Sequence, residues 1–160
     1  MNEDGVSKSS RSTGPHRFEM EGWISCAPFE RLLNMRIVEA ADGRAVLTMP
    51  FHMEYAQGGG LMHGGALVSL ADTAVVMAIK SIVPPQSHFA TVLLEAKFLA
   101  PVKQGTVTAR ARVVHREGRV IMGHAEVCDE AGRVVVDFSS TFKVARDAAI
   151  RGITFQKGGA

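Results

Sequence analysis

Only two cysteines occur, Cys26 and Cys128, far apart and without a CxxC spacing. That gives no support for a disulfide framework or a thiolate metal site. It fits two reduced, largely buried thiols in a cytoplasmic protein. A charge excess is also missing. The net charge is +2, and no run of Lys or Arg interleaves with aromatics, so no nucleic-acid partner is expected. No segment is long and apolar enough to span a bilayer, so no membrane partner is expected. Residues 1–18 lack the apolar stretch of a signal peptide and read as a disordered tail. The six histidines show no HxxxH or HExxH spacing, so no metal is expected. Ser69 lies outside any GxSxG elbow, and the glycine loop lacks both the GK[ST] ending and the GxGxxG pattern.

What is present reads as one domain, 19–146, followed by an irregular tail, 147–160. Glu19 to Cys26 suggests a short helix, and Pro28 to Leu33 a further turn with Pro28 at its first position. Met35 to Ala40 and Ala45 to Met49 read as strands joined by the Asp42-Gly43 turn. Gly64 to Lys80 contains no proline and is apolar on nearly every side, as a helix enclosed by other structure must be. Pro84-Pro85 ends it. Thr91 to Leu99, Val107 to His115, Val120 to Asp129 and Val134 to Val144 then read as strands, the last three joined by tight turns. His115 and His124 would face each other across one hairpin. Segregated helix and strand periods predict an α+β fold, a curved antiparallel sheet around one long central helix. Trp23 and the methionines read as core or interface.

The informative stretch runs from Gln57 through Gly58-Gly59-Gly60 and His63-Gly64-Gly65 to Asp72. A glycine-rich loop feeds a helix N-terminus, where unpaired N–H groups and the helix dipole favour negative charge. Gly64 and Gly65 lack a Cβ, so a ligand oxygen can approach the backbone, as an oxyanion hole requires. Asp72 is the only ionised side chain between Gly64 and Ile79. A carboxylate buried there needs compensation, and burial raises its pKa unless donors surround it. Two readings stay open: Asp72 does chemistry, or it caps a loop or pairs with an arginine. Eight residues along one helix separate Gly64 from Asp72 by roughly 12 Å, too far for both to touch one carbonyl carbon. If both act on the same carbon, they come from different subunits.

His63-Gly64-Gly65 followed by Asp72 in an apolar helix resembles the HGG-x₆-D signature of hotdog-fold thioesterases. The resemblance is to the phenylacetate-degradation (PaaI-like) and 4-hydroxybenzoyl-CoA thioesterase type, and it spans roughly 29–144. It implies an acyl-CoA thioesterase working as a homodimer or homotetramer. No cofactor is implied, since coenzyme A belongs to the substrate. Position by position, Gly64 matches the oxyanion amide and Asp72 the nucleophile or general base. Gln57 falls where relatives position water or the thioester, and Thr91 where they hold the water. His63 matches the histidine that shapes the loop, and His63 and Gly65 count among the expected substrate-binding residues. Pantetheine would lie along Leu99 and Pro101, with the phosphates near Arg116, Gly118 and Arg119. A plain solvated turn is the other reading of those arginines. The fold also admits a non-catalytic acyl-CoA sensor and an enoyl-CoA hydratase or dehydratase.

Overall fold

The computed structural model describes residues 13–146 and the backbone of 156–157. Strand β1 (His16–Arg17) pairs in parallel with β8 (Gln156–Lys157). This corrects the sequence reading at both ends, since part of each expected tail forms a strand. The rest of those tails, 1–12, 147–155 and 158–160, lies outside the described residues.

The expected helix over Glu19 to Cys26 does not form. Gly22 interrupts it, and Ser25 Oγ accepts from the Gly22 N–H and donates to the Gly22 carbonyl. Such local bonds compete with a helical ladder. This segment continues into α1 (Pro28–Leu32) and runs along the central helix α2 (Gly64–Lys80). Trp23 Nε1 donates to the Lys80 carbonyl at 2.9 Å, and Lys80 Nζ lies 4.8 Å from the Trp23 ring. Burial holds the Lys80 ammonium below the usual lysine range. Near the other end of α2, Tyr55 Oη accepts from Asn34 and donates to the Leu32 carbonyl, while the Tyr55 carbonyl accepts from the His63 N–H.

The main sheet contains β2 (Arg36–Ala41), β3 (Arg44–Pro50), β4 (Phe89–Phe98), β5 (Thr106–Glu117), β6 (Val120–Cys128) and β7 (Val134–Val144). Their order is β2-β3-β5-β6-β7-β4, and every pair is antiparallel. The β2–β3 turn needs positive φ at both central residues, and Asp42 (52°) and Gly43 (75°) supply it. Alternation then sends Leu47, Met49, Val107, Ala109, Ile121, Ala125, Phe138 and Phe142 onto one face, where they are buried against α2. Gly123 lets the helix come this close. A Cβ there would sit 2.2 Å from Val75 Cγ1, nearer than packing allows.

The β5–β6 register sets His115 opposite Met122, and beyond a bulge between Val113 and His115 it sets His124 opposite Arg112. The histidines therefore do not face each other, contrary to the alternation reading. His124 Nε2 instead lies 2.6 Å from Asp137 Oδ1, on the sheet face away from the helix.

Candidate active site

Helix α2 begins where the loop from Gln57 to His63 ends. His63 is extended (φ −63°, ψ 132°) and caps the helix, its Nδ1 accepting from the Gly65 N–H at 2.8 Å. That bond requires a bare Nδ1, so a neutral ring carries its proton on Nε2. His63→Ala should cost about 1 kcal/mol of stability, the usual worth of such a cap, measured by urea unfolding. The Gly64 N–H points out of the helix end and has no acceptor among the described residues. The Phe98 ring covers Gly64 so closely that a Cβ would meet it at 3.0 Å.

Gln57, Gly64, Leu99 and Pro101 line one cleft of about 410 Å³, together with Met62 and Phe98. The sequence separates these residues widely, but β4 ends beside the start of α2 and brings them together. Gln57 Oε1 accepts from the Gly59 N–H, and the Gln57 amide nitrogen has no acceptor among the described residues. Larger clefts exist, such as one of about 640 Å³ beside Asn34, Thr48 and His52, and it holds none of the expected residues.

Asp72 sits two turns further along α2, on the helix stripe that also includes Gly65, Ser69 and Val76. Gly65 is exposed and Ser69, Asp72 and Val76 are half-buried along this stripe, while Ala71, Ala74, Val75 and Ala78 are fully buried. Thr91 Oγ1 lies 3.2 Å from both carboxylate oxygens of Asp72 and donates to them. No arginine or lysine pairs with Asp72 among the described residues, so the ion-pair alternative finds no partner. Burial pushes the Asp72 carboxyl above the ordinary aspartate range, and the Thr91 bond pulls partly the other way. An activity that needs the ionised form should therefore fall, on acidification, at a higher pH than an ordinary aspartate would give. Thr91→Ala removes this lowering hydrogen bond and should move that acid limb to still higher pH in a kcat/KM profile.

Arg116, Gly118 and Arg119 are not part of either cluster. They lie at the β5–β6 turn, beside the start of β4 and beyond the C-terminal end of α2. Arg119 Nη1 donates to the Val144 carbonyl, and the Arg119 carbonyl accepts from the Val144 N–H. Arg116 is exposed. One chain thus carries an amide cleft at one end of α2, a protonatable acid in its middle and two arginines at the far end. The His124–Asp137 pair was missed by sequence reading, because only the β6–β7 register reveals it. It belongs to the opposite sheet face and not to this site.

A long helix laid on one antiparallel sheet in this strand order is the hotdog fold. The thioesterase superfamily profile matches residues 59–136. ComA2 of Bacillus subtilis, whose name calls it an esterase, is 35% identical over 104 residues, 64% of this chain and 82% of that protein. The 1,4-dihydroxy-2-naphthoyl-CoA hydrolase of Listeria monocytogenes is 29% identical over 107 residues, 66% of this chain and 86% of its own length. Among solved structures, the PaaI protein of the E. coli phenylacetic acid degradation operon aligns with a TM-score of 0.69 at 28% identity. That alignment covers 74% of this chain and 85% of the PaaI chain. The chain belongs to the thioesterase superfamily, and its class of reaction is thioester hydrolysis.

Proposed function

We propose that the protein hydrolyses an acyl-CoA thioester to a free acid and coenzyme A, in a site shared by two subunits. The observation that carries this is the protonatable Asp72, half-buried on an otherwise apolar stretch of helix, with Thr91 as its sole hydrogen-bond partner among the described residues. The Gly64 amide of one subunit polarises the thioester carbonyl and stabilises the oxyanion. Asp72 of the other subunit, in its ionised form, attacks the carbonyl carbon or takes a proton from the attacking water. The C–S bond then breaks, and the coenzyme A thiolate leaves and takes up a proton; where Asp72 is the nucleophile, water next hydrolyses the acyl anhydride on Asp72, releasing the acid and restoring the carboxylate. Thr91 holds the water beside the carboxylate, and the Gln57 amide donates toward the thioester.

Pantetheine lies along Leu99 and Pro101, which share the Gly64 cleft. The phosphates meet Arg116 and Arg119 near Gly118, supplied across the subunit boundary. A homodimer is the smallest assembly that completes such a site, and a homotetramer repeats it. The His124–Asp137 pair, on the wrong face of the sheet, offers no base to the α-carbon of a bound thioester, so hydration is disfavoured. A thiol-release assay over short, medium, long and aryl acyl-CoAs tests the proposal. At least one substrate should release free coenzyme A with multiple turnovers. Binding without turnover across the panel would instead identify a sensor.

A further inference from the structure

The cleft of about 640 Å³ lies where β2 begins, β3 ends and β5 begins. Its polar lining is Arg31, Asn34, Arg36, Thr48, His52 and Thr106, with no Asp or Glu. The Arg36 side chain has no ion-pair or hydrogen-bond partner among the described residues. Two acids lie nearby. Glu21 pairs with Arg31 at 3.4 Å, but both side chains are exposed, so the pair is weak and easily exchanged. Glu130 accepts from the Thr106 N–H and lines a different cleft. Two guanidiniums, two hydroxyls and an imidazole without a carboxylate suit an anion with several oxygens, and arginine forks match phosphate.

A second cleft, about 570 Å³, adjoins the first, since Asn34 and His52 line both. Leu32, Leu33 and Tyr55 make its wall largely apolar, with Glu54 beside them. The His52 and Tyr55 rings stand 5.7 Å apart. We infer that the two clefts together bind a nucleotide, its phosphates against Arg31 and Arg36 and its base beside His52, Tyr55 and Leu33. A charged cleft joined to an apolar one selects a ligand with one anionic end and one flat, apolar end. This site differs from the one proposed for the coenzyme A phosphates, because Thr106 and Arg116 lie near opposite ends of β5.

The cleft is also tied to the catalytic end of α2. Asn34 closes α1 in the left-handed conformation, φ 52°, its N–H donating to the Arg31 carbonyl. Its side-chain amide donates to Tyr55 Oη at 2.7 Å, and the Tyr55 carbonyl accepts from the His63 N–H at 2.7 Å. His63 caps α2 immediately before Gly64. A nucleotide touching Asn34 and His52 is therefore joined through Tyr55 and His63 to the amide proposed to meet the oxyanion. This effect on catalysis rests on the thioesterase reading, whereas the binding site does not.

Isothermal titration of ADP, pyrophosphate and adenosine into the full chain tests the site. ADP should bind more tightly than pyrophosphate, and adenosine least of the three. Arg36→Gln should weaken ADP binding about ten- to hundredfold, the worth of a charged hydrogen bond, and Arg116→Gln should leave it unchanged. Equal affinity for adenosine and ADP would overturn the anion site, and equal affinity for pyrophosphate and ADP would overturn the base pocket. No binding of any of the three, or a loss with Arg116→Gln and not with Arg36→Gln, would overturn the whole inference. In a thiol-release assay, saturating ADP should change kcat by about twofold or more and leave KM nearly unaltered. A rise in KM alone would place ADP in the coenzyme A site instead. If ADP binds through Arg36 while no acyl-CoA releases thiol, the cleft stands and the thioesterase proposal fails.

Discussion

Asp72→Asn should lower thioester hydrolysis by about 10²–10⁴-fold while acyl-CoA binding survives, because the variant keeps the shape of the site and loses only its base. The same change should raise stability. Burial lifts the Asp72 pKa in the folded chain, so between the unfolded and folded values the native state holds the extra proton. Stability therefore falls as pH rises through that window, and at neutral pH the ionised carboxylate works against folding. Asparagine removes that cost and can still accept from Thr91. Opposite signs for activity and stability are the mark of a functional group held in an unfavourable place. A structural cap would lose both together. Thermal unfolding at pH 7 beside a thiol-release assay separates the two.

Gly64→Pro should lower kcat by about 10²–10³-fold, since it deletes the one amide proton proposed to meet the oxyanion. Proline is suited to this position. Gly64 is the first residue of α2, where an N–H has no helical partner, and His63 at ψ 132° already has the extended backbone that precedes proline. The new ring must displace Phe98, which lies 3.0 Å from the position of a Cβ. Gly64→Ala creates the same crowding and keeps the N–H, so it serves as the control. A much smaller loss for alanine than for proline assigns the effect to the amide, and equal losses would assign it to Phe98.

The helix was legible in the sequence because seventeen residues without proline carry a single acid, and its bounds, Gly64–Lys80, match that reading. The strands were legible wherever one face is buried, as in Val107, Ala109 and Ala111 against Thr108, Arg110 and Arg112. Sheet order was not, because alternation says which face is inward and nothing of neighbours. The placement of β4 beside β7, which brings Thr91 to Asp72 and Phe98 to Gly64, is a tertiary fact. The register that keeps His115 opposite Met122 and His124 opposite Arg112 escaped for the same reason: alternation within each strand does not fix how far one strand is shifted along the next. Glu19 to Cys26 misled because its composition suits a helix, while Trp23 is held by Lys80 and Ser25 bonds to its own loop.

The shared site is tested most directly by combining Asp72→Asn and Gly64→Pro chains, each inactive alone, in mixed dimers made by co-expression under separate tags. Every mixed dimer has one site with both the native amide and the native acid, and one with neither. Random pairing should then recover about a quarter of the parental activity. A mixture no more active than its separate components would place the amide and the acid in the same subunit and contradict the shared site.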